Sequence, residues 1–412
     1  MNCCLSVIAF LTLSMVSAQA EFALRDGDKV VFLGDSITAA HNYSKIIEDY
    51  TLLRFPDRRI EFINVGQGGE TAHGSLARLD EAVFANKATV LTVAYGINDI
   101  GWGTKANDET KAAYLNGIRT IIERCREHGV RVFICSAAIT AEEPDSAELG
   151  YLQTMCDEGL ALARREGAGT IDVARSMREV QRRVWAANEK QADAAKHTKL
   201  HVEDGVHLND LGQMAMAWAI LKGLGAPAAV SSLAIDATTG KIEKADACTA
   251  QDVALTADGG SFVRLDDRLP LNLHSLWMLM GWHIPISSDL NEYRLQISGL
   301  RDGRYALTAG GRKLGEWGAD ALAEGINIAS ATGEPWEPGG LWDAQGRLVT
   351  RLTTARDLLD QTRAEMDQFL TAHPGQATLR TQLNAIEAQL VDLQRAAARP
   401  VPVRFELQHL DP

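Results

Sequence analysis

Val30-Val31-Phe32-Leu33-Gly34-Asp35-Ser36-Ile37 joins an unbroken apolar run to a glycine, a carboxylate and a serine. Four apolar residues in a row, without alternation, mark a strand covered on both faces. Such strands belong to open α/β sheets, where chemistry sits in the crevice at the strands' carboxyl ends. Ser36 stands on the turn leaving the strand and is therefore a candidate nucleophile. The same texture repeats along the chain. Apolar strands are expected at 29–33, 59–64, 88–94, 130–136 and 169–172. Helical stretches lie between them near 42–54, 73–85, 108–128 and 146–166. Further helices follow at 175–195 and from Asn209 or Asp210, either of which can cap a helix, to about Leu224. The alternation predicts an α/β domain over 21–226 with a doubly wound parallel sheet of about five strands.

The chain has 412 residues, 46% hydrophobic and 23% charged, enough for two or three domains. Its formal net charge of −13 argues against nucleic acid as a partner, because phosphate binding needs a basic surface. It also suits an anionic membrane surface poorly. Residues 1–20, MNCCLSVIAFLTLSMVSAQA, read as a secretory signal, with an apolar core from Leu5 to Val16 and the small pair Ala18 and Ala20 before Glu21. That core is shorter than the ~20 residues that span a bilayer. The mature chain is accordingly expected to be exported, periplasmic or extracellular, with no membrane span. Cys125, Cys135, Cys156 and Cys248 have no metal-like spacing. Cys135 lies in an apolar strand and reads as a small buried hydrophobe. A Cys125–Cys156 disulfide stays open.

After Gly225-Ala226-Pro227 the texture changes. Short strands are expected at 251–256, 261–265, 292–298 and 303–308, separated by turn signals such as Asp258-Gly259-Gly260, Asp302-Gly303 and Gly310-Gly311. These predict a β-sandwich-like module over 227–344 and 398–412. The cluster Trp277, Met278, Met280 and Trp282 reads as its core. Over 345–397, Leu348, Leu352, Ala355, Leu359, Thr362, Met366 and Phe369 follow heptad spacing, as do Leu379, Leu383, Ile386, Leu390 and Leu393. His373-Pro374-Gly375 separates the two runs. They predict an antiparallel coiled-coil hairpin, with the seams packed on each other, inserted in the β module. Val401, Val403, Phe405 and Leu407 alternate like a returning strand, and Pro402 suits an edge position.

Three further loops follow predicted strands on the same edge as Ser36: Asn64-Val65-Gly66-Gln67-Gly68-Gly69-Glu70-Thr71, Gly96-Ile97-Asn98-Asp99 and Asp204-Gly205-Val206-His207. A serine hydroxyl is a weak nucleophile until a base takes its proton. His207 is the candidate base, and Asp204, three residues earlier, can hold the imidazole in the correct tautomer. A developing oxyanion needs donors. The candidates are the backbone N–H of Gly69, the Asn98 amide and the N–H of Ser36.

These four blocks, in this order, resemble the SGNH (GDSL-type) hydrolase family over about residues 28–225. The resemblance implies a flavodoxin-like three-layer fold and ester hydrolysis without a metal or other cofactor. It makes Ser36 the nucleophile, Gly69 and Asn98 oxyanion donors, and Asp204 with His207 the acid and base pair. Ile37 replaces the leucine of the older family name, and Leu208 stands where proline often follows the histidine. Gly66 and Gly68 offer alternative donors in the glycine loop.

Asp35, Trp102 and His41 are candidates for contacting substrate. For His41 the competing reading is an exposed helix start, and for Trp102 a core or rim position. His201 and Glu203 read as a solvated loop rather than a metal site. The expected function is an exported serine esterase acting on carboxylic esters, foremost O-acetyl groups on carbohydrate, with an acylated small molecule or polysaccharide as partner. A lipase or lysophospholipase-like esterase is the alternative within the class. A carbohydrate-binding or docking protein dominated by its C-terminal modules is the alternative outside it. The triad leaves the acyl and alcohol parts of the ester open.

Overall fold

The computed structural model describes residues 21–272, 282–334 and 339–410. The expected signal sequence at 1–20, and Trp277, Met278 and Met280, lie outside the described residues.

Five parallel strands form the first sheet: β1 (Lys29–Gly34), β2 (Glu61–Asn64), β3 (Val90–Ala94), β4 (Arg131–Cys135) and β5 (Gly169–Ile171), in the order β2-β1-β3-β4-β5. The order reverses direction beside β1, so a crevice opens at the carboxyl ends of β1 and β3. Helices cover both faces: α1 (Ser36–Ala39), α2 (Asn42–Arg54), α3 (Asp108–Glu127), α4 (Pro144–Glu148), α5 (Tyr151–Arg165), α6 (Val173–Asn188) and α7 (Asp210–Gly223). This is the expected α/β/α architecture.

Two helices depart from expectation. The stretch 73–85 winds as a 3-10 turn, Gly74–Arg78, followed by a π turn, Asp80–Phe84, closed by Ala85 N–H donating to Asp80 O at 2.8 Å. The stretch 146–166 splits into α4 and α5, because Gly150 adopts an extended conformation as the cap of α5. Cys125, Cys135, Cys156 and Cys248 are all free and buried, so no Cys125–Cys156 disulfide forms.

Beyond residue 226 the chain builds two sheets. One contains β6 (Ala229–Asp236), β7 (Lys241–Asp246), β10 (Glu292–Ser298) and β13 (Ile326–Asn327), in the order β13-β10-β6-β7. The other contains β8 (Cys248–Thr256), β9 (Gly259–Asp266), β11 (Arg304–Ala309), β12 (Arg312–Gly318) and β14 (Val403–Leu410), in the order β12-β11-β14-β9-β8. A buried polar knot ties them: Arg264 of β9 donates to Asp266 and Ser231, and Tyr293 of β10 donates to Asp266 at 2.5 Å. The returning strand β14 is central, not an edge. Pro402 precedes it and stays out of the ladder, which is why proline is tolerated there. Trp282 is 78% exposed, which corrects its placement in the module core.

Two short helices, α8 (Ile286–Asp289) and α9 (Ala319–Glu324), precede a hairpin of α10 (Leu341–Ala372) and α11 (Thr378–Ala397). Its arms are joined by polar side chains: Arg363 donates to Asn384 and Glu387, and Gln394 donates to Thr353 at 2.6 Å. The expected heptad seams are not buried throughout. Leu348, Phe369, Ile386 and Leu393 are exposed, while Val349, Thr353, Leu383 and Gln394 are buried.

The reason is a third partner. The base of the hairpin packs on α2, and the buried face is chosen by that contact as well as by the partner arm. Thr350 and Thr353 donate to Asp49 at 2.6 and 2.5 Å, Arg356 pairs with Glu48 at 2.5 Å, and Gln394 donates to Glu48 at 2.9 Å. At the far end of α2, Arg54 donates to the carbonyls of Pro227, Ala229 and Leu290 at 2.7–2.9 Å. Glu48, Asp49 and Arg54 are thus all buried, each with partners, as buried polar groups require.

Candidate active site

β1 ends at Gly34, where a side chain has no room. A Cβ there would stand 2.1 Å from Thr38 Oγ1 and 2.9 Å from the Ala94 carbonyl. The chain turns tightly into α1, and Ser36 becomes the first residue of that helix. Asp35 is buried and caps it, accepting the Ile37 N–H at 2.9 Å. Its carboxylate is thus engaged within the turn itself. Burial pushes its pKa up to about 6, against the pull of the Ile37 N–H and the His207 ring.

Ser36 Oγ lies 2.9 Å from His207 Nε2, and His207 Nδ1 lies 2.5 Å from Asp204 Oδ2. An ionised carboxylate only accepts, so Nδ1 carries the proton and Nε2 is left to accept from the serine. Asp204 Oδ1 also accepts the N–H groups of Val206 and His207, each at 2.9 Å. Gly205, with φ of 71°, makes the left-handed step that lets the chain fold over that carboxylate. The His207 ring first, and then the two N–H groups, hold Asp204 well below the usual carboxylate range, at about 2.

The loop carrying this pair is anchored from beneath. Val202 N–H donates to His207 O at 2.9 Å. His201, expected in a solvated loop, is buried and donates from Nε2 to Ile139 O at 2.9 Å, fixing the loop to the chain after β4. Burial lowers its pKa, against the pull of the Ile139 carbonyl. Glu203 is exposed, as expected. No group of ligands suited to a metal ion occurs among the described residues.

The glycine loop returns over the serine. Gln67 N–H donates to Gly34 O at 2.9 Å, and a Cβ on Gly68 would lie 4.0 Å from that of Ser36. Gly69 has φ of 75°, and neither its N–H nor that of Gly68 donates to an acceptor among the described residues. Asn98 sits on the third loop. Its Oδ1 accepts the Trp102 indole N–H at 2.9 Å, and its Nδ2 reaches Glu70 O at 3.2 Å. Those two partners settle which amide end is the donor. Trp102 is 48% exposed and meets the His207 ring edge to face at 5.6 Å, so it is a rim residue and not core. Behind this loop lies a cavity of about 200 Å³, bounded in part by Ile97, Trp102, Ala137, Ile139 and Leu152.

His41 does not face this crevice freely. It occupies a left-handed position, φ 60°, at the start of α2, and its ring is paired with Asp357 of the hairpin.

Several supporting residues are not singled out by motif reading. Glu70 accepts from Arg78 and from the Tyr95 hydroxyl, while Arg78 also donates to Val65 O at 2.7 Å. This holds the glycine loop to β3. Asp99 accepts Ala72 N–H at 3.0 Å, and burial pushes its pKa up to about 7. Their only sequence signal is charge beside the motif loops, which an exposed loop would show equally.

Residues 32–215 match the GDSL-like lipase/acylhydrolase family. A relative from Bacillus subtilis (strain 168), the uncharacterized lipoprotein YqeF, is 27% identical over 152 residues, 35% of this chain. The chain spans 61% of the length of that relative. Among solved structures, BT4096, a gut microbial diltiazem-metabolizing enzyme, aligns with TM-score 0.77 at 22% identity over 94% of this chain and 98% of its own. The acetylxylan esterase Axe2 from Geobacillus stearothermophilus covers 49% of this chain and 96% of its own, at 20% identity and TM-score 0.42. The likeness to BT4096 extends the shared fold through the β module and hairpin. The match to the GDSL-like lipase/acylhydrolase family thus covers residues 32–215, the parallel-sheet domain that carries Ser36, Asn98, Asp204 and His207.

Proposed function

We propose that the protein is an exported serine esterase that removes short acyl groups, foremost O-acetyl groups, from carbohydrate. One observation carries the reading: Ser36, His207 and Asp204 form a continuous hydrogen-bonded chain, with the histidine tautomer fixed by the carboxylate. His207 Nε2 takes the Ser36 proton as Oγ attacks the ester carbonyl. The N–H groups of Ser36 and of Gly69, with the Asn98 amide, receive the oxyanion. His207 then returns the proton to the leaving alcohol oxygen, giving an acyl-enzyme. Water, deprotonated by the same nitrogen, releases the acid. Asp204 stays ionised throughout and stabilises the imidazolium.

The small cavity behind Asn98, about 200 Å³, suits a short acyl group better than a lipid chain. The signal-like residues 1–20 and a relative named as a lipoprotein are in keeping with export. The carbohydrate alcohol is supported by the appended β module and by the family resemblance.

The test is acetate release from acetylated xylan, pectin and mucin-type glycans, with p-nitrophenyl esters of rising chain length alongside. Ser36→Ala should abolish turnover of every ester while leaving the circular dichroism spectrum unchanged. Retained turnover, or faster cleavage of long-chain than of acetyl esters, would overturn the reading.

A further inference from the structure

A second cavity, about 320 Å³, lies where the hairpin meets the hydrolase domain. Its walls are the first two turns of α2, the start of α7 and one face of α10. Both α2 and α7 begin directly after loops of the candidate active site: α2 starts six residues past Ser36, and α7 three residues past His207. The cavity therefore lies against the ends of α2 and α7 that leave the same edge of the sheet as the serine. From Asn42 to Asp49 it runs about 10 Å along α2, at 1.5 Å per residue.

Arg347 and Arg351 reach it from successive turns of α10, spaced so that they share a face. Other arginines of this helix are paired: Arg356 with Glu48 and Arg363 with Glu387. Arg347 and Arg351 meet no carboxylate among the described residues, and the Arg347 Nε–H is buried without an acceptor. A buried unsatisfied donor is costly and points to a missing partner. Lys45 adds a third cation, shared with Asp357 at 3.4 Å. The facing acids are Asp210, at the exposed start of α7, and Asp49, which two threonine hydroxyls already occupy. The amides of Asn42 and Asn272, also in the wall, donate and accept as sugar hydroxyls require. The volume is at the lower end of small-molecule sites, which suits a single sugar residue.

We infer that this cavity is a subsite for a carboxylate-bearing sugar in the alcohol part of the ester, so that the saccharide deacylated is an acidic one containing uronic acid. The inference rests on the carbohydrate-esterase reading above and gives the hairpin a part in substrate choice. A planar guanidinium matches a carboxylate with two parallel hydrogen bonds, which a neutral sugar cannot return.

The experiment compares acetate release by the full chain from O-acetylated oligogalacturonide and O-acetylated xylo-oligosaccharide of equal length. The acidic substrate should have the lower KM. In Arg351→Ala, and in Arg347→Lys, which keeps the charge but loses the fork, kcat/KM for the acidic relative to the neutral substrate should fall about tenfold or more, the scale of a charge-assisted hydrogen bond. Equal KM values for both substrates, or an unchanged ratio in both variants, would overturn the subsite. If neither saccharide is deacetylated, the carbohydrate-esterase reading fails, and the subsite is tested separately by calorimetry on Ser36→Ala protein. Galacturonate binding that Arg351→Ala removes would uphold it. Galactose binding as tightly as galacturonate, inorganic phosphate binding more tightly, or no binding of galacturonate would overturn it.

Discussion

Replacing Asp204 by asparagine separates the two tasks of its carboxylate. Oδ1 accepts two backbone N–H bonds that shape the turn, and Oδ2 accepts from His207 Nδ1. The asparagine carbonyl can keep the first pair, so the turn should persist. Its NH2 then faces Nδ1 and favours the tautomer with the proton on Nε2. That nitrogen now presents a proton to Ser36 and cannot act as base. Where such a carboxylate is buried, the loss is about 10⁴ in turnover, roughly 5.4 kcal/mol. Here the side chains of Asp204 and His207 are 35% and 36% exposed, so water can compete at Nδ1 and part of the population regains the productive tautomer. The expected fall in kcat/KM for p-nitrophenyl acetate is therefore about 10²–10³, or roughly 3–4 kcal/mol. Thermal stability should be nearly unchanged. Less than a tenfold fall, with the fold intact by circular dichroism, would refute the claim that Asp204 sets the tautomer of His207.

Other consequences are equally direct. Trp102→Phe removes the indole donor to Asn98 Oδ1 but leaves Glu70 O to hold the amide, so kcat should fall about five- to tenfold, the scale of one net hydrogen bond, with KM little changed. A change confined to KM would make Trp102 a substrate contact instead. Asn98→Ala removes the amide itself and should lower kcat by about 10²–10³. Asp49 is pushed by burial from 3.8 up to about 7, its threonine donors and Arg356 only partly opposing this. Its folded pKa is raised, so the folded chain binds more protons than the unfolded one between about pH 4 and 7, and stability from this group falls as pH rises through that window. Asp49→Asn should accordingly gain stability relative to the parent between pH 5 and pH 8, by a few kcal/mol at most. Urea unfolding at the two pH values measures this, and a constant difference would show that Asp49 is ionised in the fold at both.

The parallel sheet was legible because its strands carry the pattern themselves. Val30–Leu33, Val90–Ala94 and Val132–Cys135 are mainly apolar where a strand covered on both faces must be, and each ends in a small or polar loop. The four loops of the candidate site were legible for a related reason: turn-forming glycines beside Ser, Asn, Asp and His are a local signal. The supports were not. Glu70, Arg78 and Tyr95 meet through space across two loops and a strand, and no spacing rule joins them. The hairpin seams misled in part, because heptad spacing assumes that the partner arm is the sole neighbour. In the folded chain α2 is a second neighbour, and its buried Glu48 and Asp49 draw Thr353 and Gln394 inward while Leu348 and Leu393 are left exposed.

The sequence by itself determined the strands, the order of the loops and the residue types at the edge that carries the candidate site, since periodicity and turn chemistry act between neighbours in the chain. Only the tertiary structure decided what surrounds them. It buried α2 on all sides, turned Asp35 inward, tied His41 to Asp357 and left two arginines of the hairpin lining a cavity against α2 and α7. Each of these is a contact between segments far apart in sequence, set by which surfaces exclude water together, and such pairings leave no local trace.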